Sequence, residues 1–371
     1  FAVSKTPKSR SRTERSPAAV EPLIGRDPFD FINNTLDPGL GGALYDLMGK
    51  YLEVPAYKLM GQKVRDAVSV AAWTAQSSPA EFASEIERAA AQGYRVFKMH
   101  TAAFHDVVEQ TRAAGEVAPR GFKIHYDFNG NRTLATVLPL IKELESHPVV
   151  GHIEDPLPKS DLDSWCRLRD KVAIPLIFHV AAGHDGLQEV TAGVADTYLF
   201  SGVSVGDTLV SGFACARANA QVLLQLTGGT LAKAFALHIA AVLPTATGHS
   251  IHLDDQYEDD VTRERIPVTE GCSPVPQGPG LGVEVDEEKL AELAAGSSEG
   301  SAESSRNIGI LHLPGGQKLY TSATPAITAM TGREEGAVRG IRMELWEDDD
   351  SEEFGRVYER LDREGVFEAG D

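Results

Sequence analysis

Tyr94-Arg95-Val96-Phe97-Lys98-Met99-His100 is apolar through its middle and charged at its end, and two later segments are built the same way. They are Phe122-Lys123-Ile124-His125-Tyr126-Asp127 and Val149-Val150-Gly151-His152-Ile153-Glu154. Each reads as a short strand, rich in β-branched and aromatic residues. Successive side chains of a strand point to opposite faces. Lys98 and His100 therefore share a face with Met99 opposite, His125, Asp127 and Asn129 share another, and His152 pairs with Glu154 before Pro156 closes the run.

Outward from these three, strand and helix alternate. Further strand patterns are Val68–Thr74, Ile174–Val180, Asp196–Phe200, Gln221–Leu226 and His249–Leu253. Helix patterns start at Asp37-Pro38-Gly39, with Leu40, Ala43, Leu44, Leu47, Met48 and Tyr51 on one stripe. They continue at Pro79–Gln92, Arg132–Ser146, Asp161–Lys171, Val205–Asn219 and Leu231–Val242. Strand then helix, repeated seven or eight times, predicts parallel strands with right-handed crossovers that close into an α/β barrel. An open doubly wound sheet would call for a Gly-rich phosphate turn after an early strand; Gly228-Gly229 instead follows the seventh.

A barrel takes about 250 residues, which leaves roughly 120 for the two ends. No run approaches the ~20 apolar residues of a membrane span. The formal charge of −19 argues against a nucleic-acid partner, whose phosphates it would repel. A small anionic substrate feels the local site instead, and is allowed. Cys166, Cys215 and Cys272 have neither disulfide nor zinc spacing, and are expected as buried thiols of a cytoplasmic protein. Lys5, Lys8, Arg10, Arg12 and Arg15 mark a basic start, expected to be a disordered or truncated end. Ala294–Ser305 reads as a linker, followed by strands Ile308–Leu313, Lys318–Thr321 and Gly340–Trp346. The acidic cluster Glu347–Asp350 with Glu352 and Glu353 reads as a solvated helix start.

In a parallel barrel, chemistry is placed at the C-terminal strand ends. There Asp127 and Glu154 offer the oxygen ligands that a hard divalent cation such as magnesium prefers. Lys98 or His100 could then remove a proton beside a carboxylate. The structural alternative is that Lys98 and Glu154 merely pair with each other.

Tyr94–His100, Tyr126-Asp127-Phe128-Asn129 and His152-Ile153-Glu154-Asp155-Pro156 resemble three successive barrel strands of the enolase superfamily, of the mandelate racemase and muconate-lactonizing type. Leu23–Pro28, Ala43–Gly61 and Pro279–Val285 resemble its approach to the barrel and its return to the cap. The resemblance implies a TIM-like (β/α)7β barrel and a capping domain over the substrate. It also implies three carboxylate ligands for magnesium, on the third to fifth strands. Asp127 and Glu154 match the first two ligands, Lys98 matches the first lysine of a Lys-x-Lys pair, His100 stands at the second, and Asn129 matches a polar neighbour of the metal. The third ligand falls on Val180, with His179 expected to face the other way. Ser201 stands for a sixth-strand Asp, Thr230 for a seventh-strand His, and His252 for an eighth-strand Glu. Ser201 and Thr230, with Asn129, His125 and His152, are expected to line the substrate.

The activity implied is removal of the proton α to a carboxylate, by a lyase or isomerase such as an acid-sugar dehydratase, racemase or cycloisomerase. Its substrate would be a small carboxylate and its assembly a homo-oligomer. The altered positions leave a second reading open, an inactive member keeping the barrel for binding or structure. A metal-free site built on His100, His125, His152 and Lys98 is the third. The expected domains are residues 1–60 as tail and helical cap remnant, 61–270 as barrel, 271–295 as return segment, and 296–371 as linker and acidic extension. Phe1–Val20 is too short and polar for the family's antiparallel cap, so a partial or altered cap is expected. The strands after Ile308 are an alternative filling.

Overall fold

The computed structural model describes residues 20–75, 77–296, 306–321 and 338–368. The basic start and most of the expected linker lie outside these residues. Helix α1 is Pro38–Tyr51, capped by Asp37, whose carboxylate accepts from the Gly39 N–H. The barrel strands are β1 (Ala67–Thr74), β2 (Val96–His100), β3 (Lys123–Asp127), β4 (Val150–Glu154), β5 (Leu176–Val180), β6 (Thr197–Ser201), β7 (Gln221–Gln225) and β8 (Ser250–Ile251). Between them run α2 (Pro79–Ala91), α3 (Val107–Val117), α4 (Leu134–Leu144), α5 (Leu162–Arg169), α6 (Leu187–Ala192), α7 (Val205–Arg217) and α8 (Gly229–Val242).

The strands hydrogen-bond in chain order from β2 to β8, then β8 to β1, and β1 returns to β2. Order without crossover, closed on itself, is a parallel eight-stranded barrel with its helices outside, as the alternation predicted. A short strand β9 (Cys272–Pro274) adds antiparallel to the start of β1. Inside, Ala71, Ile177, Leu199, Leu223 and Ile251 form a fully buried layer, joined by Trp73, Val96 and Leu253. These bulky apolar residues fill the barrel, so it is a core and not a pore.

Helix α3 went unseen in the sequence because its buried face mixes Val107, Val108 and Ala114 with Gln110 and Thr111, which blurs the apolar period. Helix α6 is only six residues long, too short to show one. The expected linker also starts late, because α9 runs from Glu287 to Gly296.

By contacts the chain falls into two compact units, one holding β1 and β5 to β8, the other the end of β2, β3, β4 and the C-terminal elements. Those elements are β10 (Asn307–His312), β11 (Lys318–Thr321), β12 (Arg342–Glu347), α10 (Glu352–Glu364) and β13 (Val366–Glu368). They make an antiparallel sheet in the order β12-β10-β11-β13. Alternation gives this sheet two apolar faces. Ile308 of one face packs on Phe354 and Leu361 of α10, while Leu311 and Ile341 pack on Ala102 and Phe104 of the β2–α3 loop. Ser351 caps α10 by accepting from the Phe354 N–H, as expected for a solvated acidic helix start.

Candidate active site

Asp127 and Glu154 are directly opposite in register at the ends of β3 and β4. Lys98 of β2 reaches across both: its Nζ stands 2.6 Å from Glu154 Oε2 and 3.2 Å from Asp127 Oδ2. The three are 1, 3 and 0% exposed in that order, Lys98, Asp127, Glu154. Burial by itself would lower the lysine pKa, but the charges of Glu154 and Asp127 together override it and hold it above its usual value. Lys98 is therefore an ammonium.

His100 places Nε2 3.3 Å from Asp127 Oδ2, with about a third of its side chain exposed. Burial lowers its pKa against the pull of Asp127, so its neutral form is favoured. His125 Nε2 lies 2.7 Å from Glu154 Oε2 in full burial, which likewise lowers its pKa. His152 pairs with His125 in register, ring centroids 6.2 Å apart, and burial takes it down to about 3. It borders a cavity of about 350 Å³ at the start of β4, lined also by Lys123, Glu145 and His147. His152 thus sits a layer away from the strand ends. Asn129 is exposed at φ 55°, and its backbone N–H donates to Asp127 Oδ1 at 2.9 Å.

Two residues were not singled out as site residues in the sequence. Thr101, directly after His100, donates both its N–H (3.0 Å) and its hydroxyl (3.1 Å) to the Asp127 carbonyl. Arg132, read there only as the start of a helix, is 1% exposed with its guanidinium 4.4 Å over the Phe128 ring. An arginine in the loop that follows a barrel strand was the signal available in the sequence; its burial was not.

The unit that carries β1 and β5 to β8 holds the remaining expected residues. Ser201 ends β6 opposite Gln225, whose Nε2 donates to its hydroxyl at 3.3 Å. Thr230 lies on no strand; it opens α8, where its N–H and hydroxyl both donate to Asp260 Oδ2 at 2.9 and 2.7 Å. One facing needs correction. His179 pairs with Leu199, which shares the inner layer with Ile177, so His179 looks into the barrel and Val180 looks out. Val180 packs instead against Gly186, where an added Cβ would come within 2.8 Å of it. Ile251 likewise takes the inner face of β8, which turns His252 away, its Nδ1 3.2 Å from the Leu226 carbonyl. The sequence does not show which residue of a short buried strand begins the inward series.

Magnesium is the ion that the resemblance implies, and the donors can be tested for fit. Asp127 and Glu154 are adjacent hard oxygen donors with two negative charges against one ammonium, a net attraction for a cation. They fit. Lys98 would have to give up its place between them.

Residues 81–289 match the model of the enolase C-terminal domain-like family. The D-galactonate dehydratase of Verminephrobacter eiseniae is 30% identical over 149 residues, 37% of this chain and 38% of that protein. The match thus spans under two thirds of the curated relative's length. A solved mandelate racemase/muconate lactonizing family protein from Azoarcus sp. EbN1 is 25% identical with a TM-score of 0.60, covering 73% of this chain and 76% of that one. The 2-chloromuconate cycloisomerase of Rhodococcus opacus shares the fold at 20% identity and a TM-score of 0.62, covering 74% and 82%.

Proposed function

This chain belongs to the enolase superfamily, in its mandelate racemase and muconate-lactonizing branch, and on that premise we propose that it removes the proton α to the carboxylate of a small acid, of the acid-sugar type. The observation that carries this reading is the convergence of Lys98 on Asp127 and Glu154, with His100 beside them. With the neutral imidazole carrying its proton on Nε2, which faces Asp127 Oδ2 3.3 Å away, Nδ1 is left to accept the substrate proton. Asp127 orients the ring and favours the imidazolium that forms. Lys98, already protonated, acts as fixed positive charge rather than as the base. Asp127 and Glu154 would hold magnesium, which when bound supplies positive charge for the substrate carboxylate. The later fate of the carbanion, loss of a β-hydroxyl or return of the proton, separates a dehydratase from a racemase or cycloisomerase.

D-Galactonate, which the curated relative is named for, is the first probe. In D2O with magnesium, mass spectrometry should show deuterium at its α-carbon, or loss of water, in wild type and neither in His100→Asn. Equal exchange in His100→Asn would remove the assigned base.

A second reading, a member without turnover, is favoured by the same ammonium, which already bridges both carboxylates. Calorimetric titration with magnesium separates the two. Binding at millimolar metal that is lost in Asp127→Asn supports the enzyme; no heat at that concentration supports the binding or structural protein.

A further inference from the structure

The C-terminal sheet does more than hang from the barrel. Its inner face, through Leu311 and Ile341, covers Ala102 and Phe104, both in the loop that follows His100. All six residues of that loop, Thr101 to Asp106, are buried. Asp106 ends it and is held from both sides. Its Oδ1 accepts from the Val108 N–H at 2.9 Å and caps α3. Its Oδ2 accepts from Arg339 Nε at 2.9 Å and from the Gly340 N–H at 2.7 Å, while its own N–H donates to the Ile341 carbonyl at 3.1 Å. Arg339 also pairs with Glu143 on α4, the helix that follows the Asp127 strand. At the other end of the loop, Thr101 binds the Asp127 carbonyl twice.

We infer that this module is the positioning element of the site: Arg339, acting through Asp106, holds the Thr101–Asp106 loop and so sets the aim of His100 at Asp127. The physical reason is leverage. A six-residue loop between a strand end and a helix has few ways to hold its shape, and here its two ends are tied to the module and to the Asp127 strand. Asp106 is 1% exposed, so loss of Arg339 leaves a buried carboxylate with fewer donors and the loop with a weaker tie. The role deepens the catalytic reading above, since it concerns the residue named there as base. Arg339 itself touches no reacting atom and is a positioning residue.

The test uses the full chain without substrate, at one pH. Imidazole 1H–15N signals of His100, assigned through His100→Asn, and amide exchange over Thr101–Asp106 are compared in wild type, Arg339→Ala and Arg339→Lys. In Arg339→Ala the His100 signals should move and loop exchange should quicken about tenfold or more, while the His152 signals stay. Arg339→Lys should return both towards wild type. Loop exchange that quickens while His100 stays unmoved would overturn the inference, as would a loop unchanged by the substitution. If Arg339→Ala does not fold, Asp106→Asn retains the cap and weakens the same tie, and is read the same way. No substrate enters, so a failure of the catalytic reading would show in the deuterium experiment and not here.

Discussion

Lys98 Nζ stands 2.6 Å from Glu154 Oε2 although β3 separates their strands, and it meets Asp127 of that strand on the way at 3.2 Å. Such a pair is costly to break from one side. Glu154→Leu should destabilise the fold by about 3–5 kcal/mol, because a buried ammonium loses its main partner. Lys98→Met should cost a similar amount by leaving two facing carboxylates. The double variant Lys98→Met with Glu154→Leu should lose less than the sum of the two. Urea unfolding of the three variants measures this, and strict additivity would mean that the pair is not coupled.

Acid should destabilise the protein through its buried histidines. His238 is fully buried with Nε2 3.1 Å from the Leu281 carbonyl, and burial lowers its pKa to about 4; His252 is lowered to about 4 by the same cause. Both are depressed below the unfolded value of about 6.5, so the unfolded chain binds more protons between those limits. Their contribution is full above about pH 6.5 and is lost as pH falls towards 4, at roughly 1.4 kcal/mol per unit for each. Denaturant unfolding at stepped pH should show this slope, and His238→Gln should reduce it by one histidine's share. An unaltered slope in the variant would show that His238 does not titrate on unfolding.

Gly206 at the start of α7 should accept no side chain. A Cβ there would come within 2.2 Å of the Asn33 carbonyl oxygen and 2.8 Å of that of Asn34, to which the Gly206 N–H donates at 2.9 Å. Both neighbours are backbone and cannot turn aside. Gly206→Ala should cost about 1–3 kcal/mol, read as a fall in melting temperature. Gly355→Ala on α10, with open space around it, should leave that temperature nearly unchanged.

Detaching the outer layer of the C-terminal module should be costly for that module. Phe354 is fully buried against Ile308 and Leu361 and meets Trp346 edge-on at 5.4 Å. Phe354→Ala should lose about 3–5 kcal/mol, seen as faster amide exchange across Asn307–His312. Protection unchanged there would mean that α10 does not hold the sheet.

Local pattern determined most of the architecture. Short runs such as Phe122–Asp127 carry their strand character in β-branched and aromatic residues, and each amphipathic helix carries its period, so the barrel and the grouping of Lys98, Asp127 and Glu154 could be read before any coordinates. Tertiary structure alone decided the rest. A five-residue strand buried on both faces lacks the polar and apolar alternation that marks an inside, so whether His179 or Val180 looks inward depended on the pairing of β5 with β6. Helix α3 hid because its buried side includes Gln110 and Thr111, whose Nε2 and hydroxyl meet the Ser77 carbonyl and the Tyr126 hydroxyl only in the fold. Arg339 and Asp106 lie 233 positions apart, and no local pattern reports which distant residues will share a hydrogen bond.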